Sequence, residues 1–112
     1  MHELSITENI LEIVERNLAE GGYTRLTGIT LRVGLLASVD EDALRFAFEV
    51  LTDEGPHRGA TLEVEKTYPL ARCSCGEDFE VDDLIYMCPR CGAIRAELAG
   101  GDELEVVRLE VE

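Results

Sequence analysis

The chain has 112 residues, enough for one domain with a small additional module. Its formal net charge is -14, and 46% of its residues are hydrophobic, which is ordinary for a protein with a buried core. No apolar run approaches the ~20 residues of a membrane span, and the first residues lack the pattern of a secretory signal. We therefore expect a cytoplasmic protein that has no membrane partner.

The first part of the chain alternates helical and strand patterns. A capping box, Ser5-x-x-Glu8, is followed by apolar residues at helical spacing, which predicts a first helix over about residues 5–20. The N-terminal residues would then precede this helix, and Gly21-Gly22 would end it. Alternating apolar residues over 29–35 predict a half-buried strand.

A second helix is predicted after Asp40, which has the side chain of an N-cap. Glu41 and Asp42 are favourable at the positive end of the helix, and Gly55-Pro56 would close it. Its apolar coverage is broad, so we expect this helix to pack against a sheet. The apolar residues are Ala43, Leu44, Phe46, Ala47, Phe48, Val50 and Leu51.

Two further strands are predicted, one on each side of the cysteines. Alternation over 60–68 predicts one, and residues 104–111 predict a final strand with a bulge at Val106-Val107, where the alternation changes phase. We expect the final strand to return to the first sheet. The fold class is thus α+β, with two helices, a small mixed sheet of about three strands, and an inserted zinc-ribbon-like module. The predicted domains are residues 1–69 plus 104–112 and residues 70–103.

All four cysteines lie in that inserted segment, as Cys73-Ser-Cys75 and Cys88-Pro-Arg-Cys91. Two close pairs separated by a short loop are typical of one tetrahedral zinc ion with four thiolate ligands. Proline and the following Gly92 favour a tight second turn, whereas the single spacer of the first pair predicts a less regular one. Disulfide bonds are the alternative, but Cys73 and Cys75 are poorly placed to pair and nothing indicates export.

The number of cysteine ligands predicts the kind of zinc site. A catalytic zinc keeps one position open for water, whereas four cysteines close the shell, so this zinc is expected to be structural. It would stabilise a loop too short for a core of its own. A small hydrolase is disfavoured, because no Ser/His/Asp or Cys/His set is left over, and we predict that the chain is not an enzyme.

Zinc ribbons often bind nucleic acid, but the local charge argues against this function. Between residues 70 and 95, five acidic residues outnumber three arginines. A phosphate-binding surface instead needs clustered lysine and arginine. We expect no nucleic acid partner, and the acidity favours solubility or a partner with a basic face.

Several segments, taken in order, resemble the HypA/HybF family of nickel metallochaperones for [NiFe]-hydrogenase maturation. The resemblance covers essentially the whole chain. Its one clear departure is Cys73-Ser-Cys75, where the family usually has two spacer residues. The similar segments are Met1-His2-Glu3-Leu4-Ser5, Gly34-Leu35-Leu36, Val39-Asp40, residues 43–49, Leu62-Glu63-Val64-Glu65 and Cys88-Pro89-Arg90-Cys91-Gly92.

The resemblance implies two metal sites and a set of partners. It implies structural zinc at the four cysteines and transported nickel at the N-terminus, held by His2 with Met1 and Glu3. The implied partners are a HypB-type GTPase and the hydrogenase large-subunit precursor, with urease as a second client in some members. We expect a monomer or a weak homodimer.

The chemistry of Met1-His2-Glu3 is compatible with nickel. Ni(II) favours nitrogen ligands, often in a square plane, and the Met1 amine, the His2 backbone nitrogen and the imidazole form two fused chelate rings. The amide nitrogen or the carboxylate of Glu3 can supply a fourth ligand. Ligation needs a neutral imidazole and a deprotonated amine, so binding should weaken toward acid.

A histidine after an initiator methionine is usually only a solvated terminus, so the nickel assignment depends on the resemblance. His57, the only other histidine, is interpreted as a solvated loop residue. The leading prediction is a nickel metallochaperone that delivers nickel for hydrogenase maturation. The alternative is a zinc-ribbon protein-interaction module without nickel transfer.

Overall fold

The computed structural model describes residues 2–112, which contain two α-helices, one 3-10 helix and six strands. No helix in this range combines the length and apolar character needed to cross a membrane. In chain order the elements are α1 (His2–Gly21), β1 (Leu26–Gly34), the 3-10 helix (Leu35–Ala37), α2 (Glu41–Thr52), β2 (Thr61–Thr67), β3 (Leu70–Arg72), β4 (Asp78–Glu80), β5 (Glu97–Ala99) and β6 (Leu104–Val111).

The strands form two sheets of three, in the orders β2-β1-β6 and β4-β3-β5. The predicted α+β fold is confirmed, because the final strand returns to the first sheet and the cysteines lie in the segment between β2 and β6. The chain divides into two compact units. Unit 1 runs to Leu31 and continues with Val39–Glu65 and Glu105–Glu112, whereas unit 2 comprises Arg32–Ser38 and Lys66–Leu104.

The core of unit 1 is an apolar seam to which both helices and two strands contribute. Thr7 is buried in this seam, where its hydroxyl donates a hydrogen bond to the Glu3 carbonyl over 2.7 Å, so no polar group is left unsatisfied there. Unit 1 therefore has a core of its own. The seam is lined by Thr7, Ile10, Ile29, Leu31, Leu44, Phe48 and Leu62.

Helix α1 begins earlier than the capping box predicted. It starts at His2 rather than near Ser5, so the prediction that the N-terminal residues precede the helix is wrong for His2. The physical reason is that the first N–H groups of any helix lack intrahelical partners, so hydrogen bonds within the helix do not determine which residue begins it. Its end is as predicted: Gly22 has a φ of 75°, and the Tyr23 N–H donates to the Leu18 carbonyl over 2.9 Å in a Schellman-type cap.

Strand β1 is more buried than its alternation predicted. It lies between β2 and β6, so both of its edges are paired, and Thr30 on one face is buried as well as Ile29 and Leu31 on the other. The Thr30 hydroxyl accepts a hydrogen bond from the Arg108 guanidinium over 3.2 Å, which satisfies it within the sheet. Leu35, expected in this strand, belongs to the 3-10 helix instead.

Helix α2 confirms its predicted cap but buries a narrower face. Asp40 Oδ1 accepts the Ala43 N–H over 3.2 Å, as expected of an N-cap. Leu44 and Phe48 enter the seam, whereas Phe46 is 68% exposed. At about 100° per residue, position 46 points away from position 44, so it does not share its partner surface. Val50, also predicted to widen the face, is exposed for the same reason.

His57 is buried, and its interpretation as a solvated loop residue is wrong. Its Nδ1 accepts the Leu26 N–H over 3.1 Å, and its Nε2 lies 2.5 Å from a carboxylate oxygen of Glu15. Because Nδ1 accepts, the proton of the neutral ring sits on Nε2 and is donated to Glu15. One imidazole thereby joins the loop after α2, the start of β1 and helix α1.

We expect His57→Ala to lower the free energy of unfolding by about 2 kcal/mol, because the buried Leu26 N–H then loses its acceptor. His57→Asn should recover part of this loss, since its side-chain oxygen can occupy the position of Nδ1. Urea unfolding of the three proteins measures the difference. Equal losses for the two variants would show that the acceptor at Nδ1 does not matter.

Candidate metal centre

A small sheet in unit 2 positions the first pair of cysteines. Strand β3 pairs antiparallel with β4 and with β5, and the fully buried Ala71 lies opposite Phe79 on one side and Leu98 on the other. Cys73 directly follows β3, so the first pair forms the turn of the β3–β4 hairpin. Sequence patterns did not predict this sheet, because strands of three residues are too short for alternation to be detected.

The first turn is closed by two backbone hydrogen bonds. The Gly76 N–H donates to the Cys73 carbonyl and the Cys73 N–H donates to the Glu77 carbonyl, each over 2.9 Å. Gly76 has a φ of 95°, a conformation in which a residue with a Cβ would be strained. The hairpin thus accommodates the single spacer between Cys73 and Cys75.

The second turn, residues 88–92, has the tight form that proline and glycine predicted. The Gly92 N–H donates to the Cys88 carbonyl over 2.9 Å, and the Cys88 N–H donates to the Ala93 carbonyl over 2.8 Å. Gly92 has a φ of 78°. The backbone therefore turns back on itself between the two cysteine positions.

The four sulfurs converge on one point. All four Sγ atoms lie within 4.8 Å of one another, with 3.5 Å between Cys73 and Cys91 and 3.7 Å between Cys75 and Cys88. A disulfide needs about 2.05 Å, whereas zinc–sulfur bonds of about 2.3 Å in a tetrahedron separate sulfurs by about 3.8 Å. The cluster therefore fits one tetrahedral metal ion. Cys73 and Cys88 are buried, and Cys75 and Cys91 face solvent.

The pKa values of the thiols indicate why four thiolates at this site need a cation between them. The Cys91 backbone N–H lowers the pKa of Cys88 to about 7 against the effect of burial. The Ala93 N–H favours the Cys91 thiolate, but the Cys73 sulfur and burial outweigh it and raise the pKa of Cys91 to about 12. The Glu77 N–H favours the Cys75 thiolate, but burial and the sulfurs of Cys73 and Cys88 outweigh it and raise the pKa of Cys75. Four thiolates at this spacing repel one another unless a cation joins them.

These pKa values predict that zinc binding releases protons and tightens as pH rises. At pH 7.5 the thiols of Cys75 and Cys91 are protonated without metal, and both protons must leave on binding. These two displaced protons alone correspond to a rise of about a hundredfold in apparent affinity per pH unit, and Cys88, with a pKa of about 7, adds to the rise. Chelator competition at pH 6.5 and 7.5 measures this slope. An affinity that does not change with pH would contradict ligation by all four thiolates.

A second candidate site lies at the start of α1, although Met1 is outside the described residues. The His2 side chain is 64% exposed, and its Nδ1 lies 3.7 Å from Glu3 Oε2. The same oxygen accepts the Asp40 N–H over 3.3 Å, and this bond is the main reason that the pKa of Glu3 is lowered. The carboxylate is therefore ionised and held at the start of α2.

The position of His2 in the helix leaves its backbone available. Because α1 begins at His2, the N–H groups of His2 and Glu3 have no intrahelical partner. Imidazole and backbone nitrogens thus occur together at an exposed helix start. The sequence patterns connected Asp40 only with α2, because no local pattern relates it to Glu3, 37 positions away.

A small α+β fold in which four cysteine sulfurs converge on one point is typical of a metal-binding protein. Comparison with known proteins makes the class more specific. The family model described as hydrogenase/urease nickel incorporation, metallochaperone, hypA matches residues 1–111. The chain therefore belongs to the HypA family of nickel metallochaperones, as the resemblance indicated. A metallochaperone is a maturation factor rather than a catalyst, which confirms the prediction that the chain is not an enzyme.

Relatives agree with this family over the whole chain, and solved structures share the fold. The chain is 44% identical over 114 residues to the hydrogenase maturation factor HypA of Syntrophus aciditrophicus and 40% identical over 113 residues to that of Geobacter metallireducens, with 100% of each chain covered. The solution structure of the Ni metallochaperone HypA from Helicobacter pylori has a TM-score of 0.64 at 19% identity, covering 97% of this chain and 96% of that one. A second solution structure, of a HypA protein, has a TM-score of 0.65 at 22% identity, covering 100% of this chain and 97% of that one.

Proposed function

We propose that the chain binds one Ni(II) ion at its N-terminus and delivers it during the maturation of [NiFe]-hydrogenase. The observation that carries this site is the exposed His2 imidazole beside backbone nitrogens that the helix leaves unpaired. Nickel is the cargo of this protein, so a solvent-exposed site suits a metal that is to be accepted and released. The metal has to be accepted from one protein and released to another.

The proposed ligands are the imidazole and backbone nitrogen of His2, the amine of Met1, and Glu3. Nitrogen donors in fused rings suit the square-planar preference of Ni(II). The Glu3 carboxylate already accepts a hydrogen bond from Asp40, which favours the Glu3 backbone nitrogen as the fourth ligand. The helix start holds Glu3 next to His2 in either case.

We also propose that Cys73, Cys75, Cys88 and Cys91 bind one structural zinc ion. The sulfur separations support this assignment, and zinc would supply charge compensation for the four thiolates and folding energy for the segment. Residues 70–103 would then act as the zinc module. Residues 1–69 plus 104–112 would act as the nickel-binding domain.

The partners that we propose are a HypB-type GTPase and the [NiFe]-hydrogenase large-subunit precursor, both in the cytoplasm. Urease is a second proposed client, because the description of the matching family names urease as well as hydrogenase.

The second candidate function, a zinc-ribbon interaction module without nickel transfer, is favoured by one observation. Several large apolar side chains of unit 2 are exposed and suit contact with another protein.

Metal stoichiometry on protein with its native, untagged N-terminus tests the proposal. We expect one zinc per chain as purified, and one further nickel after dialysis against Ni(II). Protein extended at its N-terminus should keep its zinc but lose the nickel, because its Met1 nitrogen becomes an amide. One zinc with no specific nickel on the native chain would instead favour the interaction module.

A further inference from the structure

The imidazole of His57 is a buried titratable group that neither metal site uses. Of residues 53–60, which form the loop between α2 and β2, only His57 is buried. Its Nδ1 accepts the Leu26 N–H over 3.1 Å, and its Nε2 lies 2.5 Å from Glu15 Oε1. His57, Leu26 and Glu15 are here called the latch, because together they join the loop to the start of β1 and to α1.

The loop depends on the latch for its attachment to these two elements. Its backbone hydrogen bonds are local: the Asp53 N–H donates to the Val50 carbonyl, and the Arg58 N–H donates to the Gly55 carbonyl. Among the hydrogen bonds of the described chain, only those of the His57 ring connect residues 53–59 with α1 or β1. Loss of the ring contacts would therefore free the loop.

Protonation of the ring is incompatible with its contact to Leu26. A neutral imidazole has one donor and one acceptor, which is what Glu15 and the Leu26 N–H require, whereas an imidazolium has two donors and no acceptor. The Nδ1–H of the charged ring would face the Leu26 N–H, and a flip of the ring would present another donor. Leu26 is only 1% exposed, so its N–H has no access to water while the loop is closed.

The contact with Glu15 is instead strengthened by protonation. An imidazolium donates a charge-assisted hydrogen bond to a carboxylate, and such bonds are roughly twice as strong as neutral ones. The Glu15 side chain is 63% exposed, so this partner lies on the solvent side of the ring. The charged ring is thus attracted outward by Glu15 and repelled at Leu26.

Other charged groups do not take the place of Glu15. Within the described chain it is the only charged side chain with a hydrogen bond or ion pair to the ring. The remaining charged residues near the latch on the elements that meet there are Glu12 and Arg16 on α1, Arg25 before β1, Glu112 after β6, and Asp53, Glu54 and Arg58 in the loop. Of these, Arg25 and Glu112 pair with each other over 3.3 Å.

We propose that the latch is a pH-operated switch: it is closed while His57 is neutral, and protonation moves the ring to Glu15 alone and releases the loop from β1. The closed form requires the neutral ring, so it is favoured as pH rises and lost as pH falls. Histidine is the side chain that changes charge between about pH 5 and 8, so opening belongs to mildly acidic solution. The switch uses neither the cysteine cluster nor the nickel ligands, and it does not rest on the proposed function.

Amide hydrogen exchange of the zinc-bound chain, followed by NMR at pH 7.5 and 5.5, tests the proposal. The protection factor of the Leu26 amide, which is corrected for the intrinsic effect of pH on exchange, should fall about tenfold or more at the lower pH, because its acceptor is lost. The Leu31 amide, in the same strand but away from the latch, should keep its protection. The ring nitrogen signals of His57 should show protonation of Nδ1 over the same range.

Two variants separate the switch from a general effect of acid. In His57→Asn the side-chain oxygen still accepts the Leu26 N–H but does not titrate, so the protection of Leu26 should be equal at both pH values. In Glu15→Gln the neutral ring keeps an acceptor but the charged ring loses its carboxylate, so opening should move to more acidic pH. Glu15 is exposed, so this second variant remains informative if His57→Asn does not fold.

Four outcomes would overturn the proposal. The first is a His57 ring that does not titrate between pH 7.5 and 5.5, and the second is a ring that titrates while the Leu26 amide stays protected. The third is an equal loss of protection at Leu31, which would indicate general unfolding in acid. The last is an unchanged pH dependence of Leu26 in His57→Asn or in Glu15→Gln.

Discussion

Replacing Cys88 by serine is expected to unfold unit 2 while unit 1 keeps its structure. The reason lies in how few apolar residues unit 2 buries: Val33, Pro69, Ala71 and Val81, beside the cluster sulfurs of Cys73 and Cys88. So small a core does not offset the conformational entropy of the segment, whereas structural zinc contributes about 10–16 kcal/mol. Unit 1 has the apolar seam between its helices and strands, so we expect it to stay folded without the metal.

Hydrogen exchange followed by mass spectrometry measures this result. Peptides from the region 70–103 should lose protection in Cys88→Ser, and peptides from α1 and α2 should not. Ser74→Ala is the matched control, because Ser74 is the exposed spacer of the first turn. Exchange that rises uniformly over the whole chain, or that stays unchanged without zinc, would contradict a metal-dependent module.

The same measurement tests where the zinc module ends. The Gly34 N–H donates to the Glu103 carbonyl over 2.7 Å, and the Leu36 N–H donates to the Gly101 carbonyl over 2.6 Å, all within unit 2. Loosening of all of residues 70–103 frees the carbonyls of Gly101 and Glu103, so the amides of Gly34 and Leu36 should lose protection together with the cysteine turns. If these two amides stay protected in Cys88→Ser, the metal-dependent region ends before Gly101.

The sequence predicted those parts of the fold that local patterns specify. Asp40 was recognised as a cap because its side chain bonds to an N–H only three residues away. Gly22 and Gly92 were recognised because tight turns need a positive φ. The cysteine spacing similarly predicted a metal cluster that the converging sulfurs support.

The features that sequence missed depend on contacts between distant residues. Nothing near His57 shows that it accepts the Leu26 N–H, 31 positions away, or that it meets Glu15. The buried Thr30 accepts a hydrogen bond from Arg108, 78 positions away, which alternation alone does not reveal. The contact of Glu3 with Asp40 is of the same kind, so the surroundings of the proposed nickel site had to come from the fold.

His2→Ala is expected to lower the affinity for Ni(II) by more than about a hundredfold. Loss of a group that only orients a metal ligand costs about 10–100-fold, so loss of the ligand itself should cost more. The fold and the zinc content should not change, because the His2 side chain is largely exposed and alanine is a strong helix former. Calorimetric titration of wild type, His2→Ala and N-terminally extended protein at one pH measures the effect, with a C-terminal tag as the control that should bind normally.

Glu3→Gln and pH identify the remaining ligands of the proposed site. A small effect of Glu3→Gln would indicate ligation by the Glu3 backbone nitrogen, whereas a large one would indicate its carboxylate. Protons compete with nickel for the imidazole and the amine, so affinity should fall as the solution is made acidic. This fall is not attributable to Glu3, because the Asp40 N–H lowers the pKa of Glu3 and keeps it ionised well into the acidic range. Equal nickel affinity in wild type, His2→Ala and the N-terminally extended chain would place the nickel ligands elsewhere and exclude the delivery mechanism proposed for this chain.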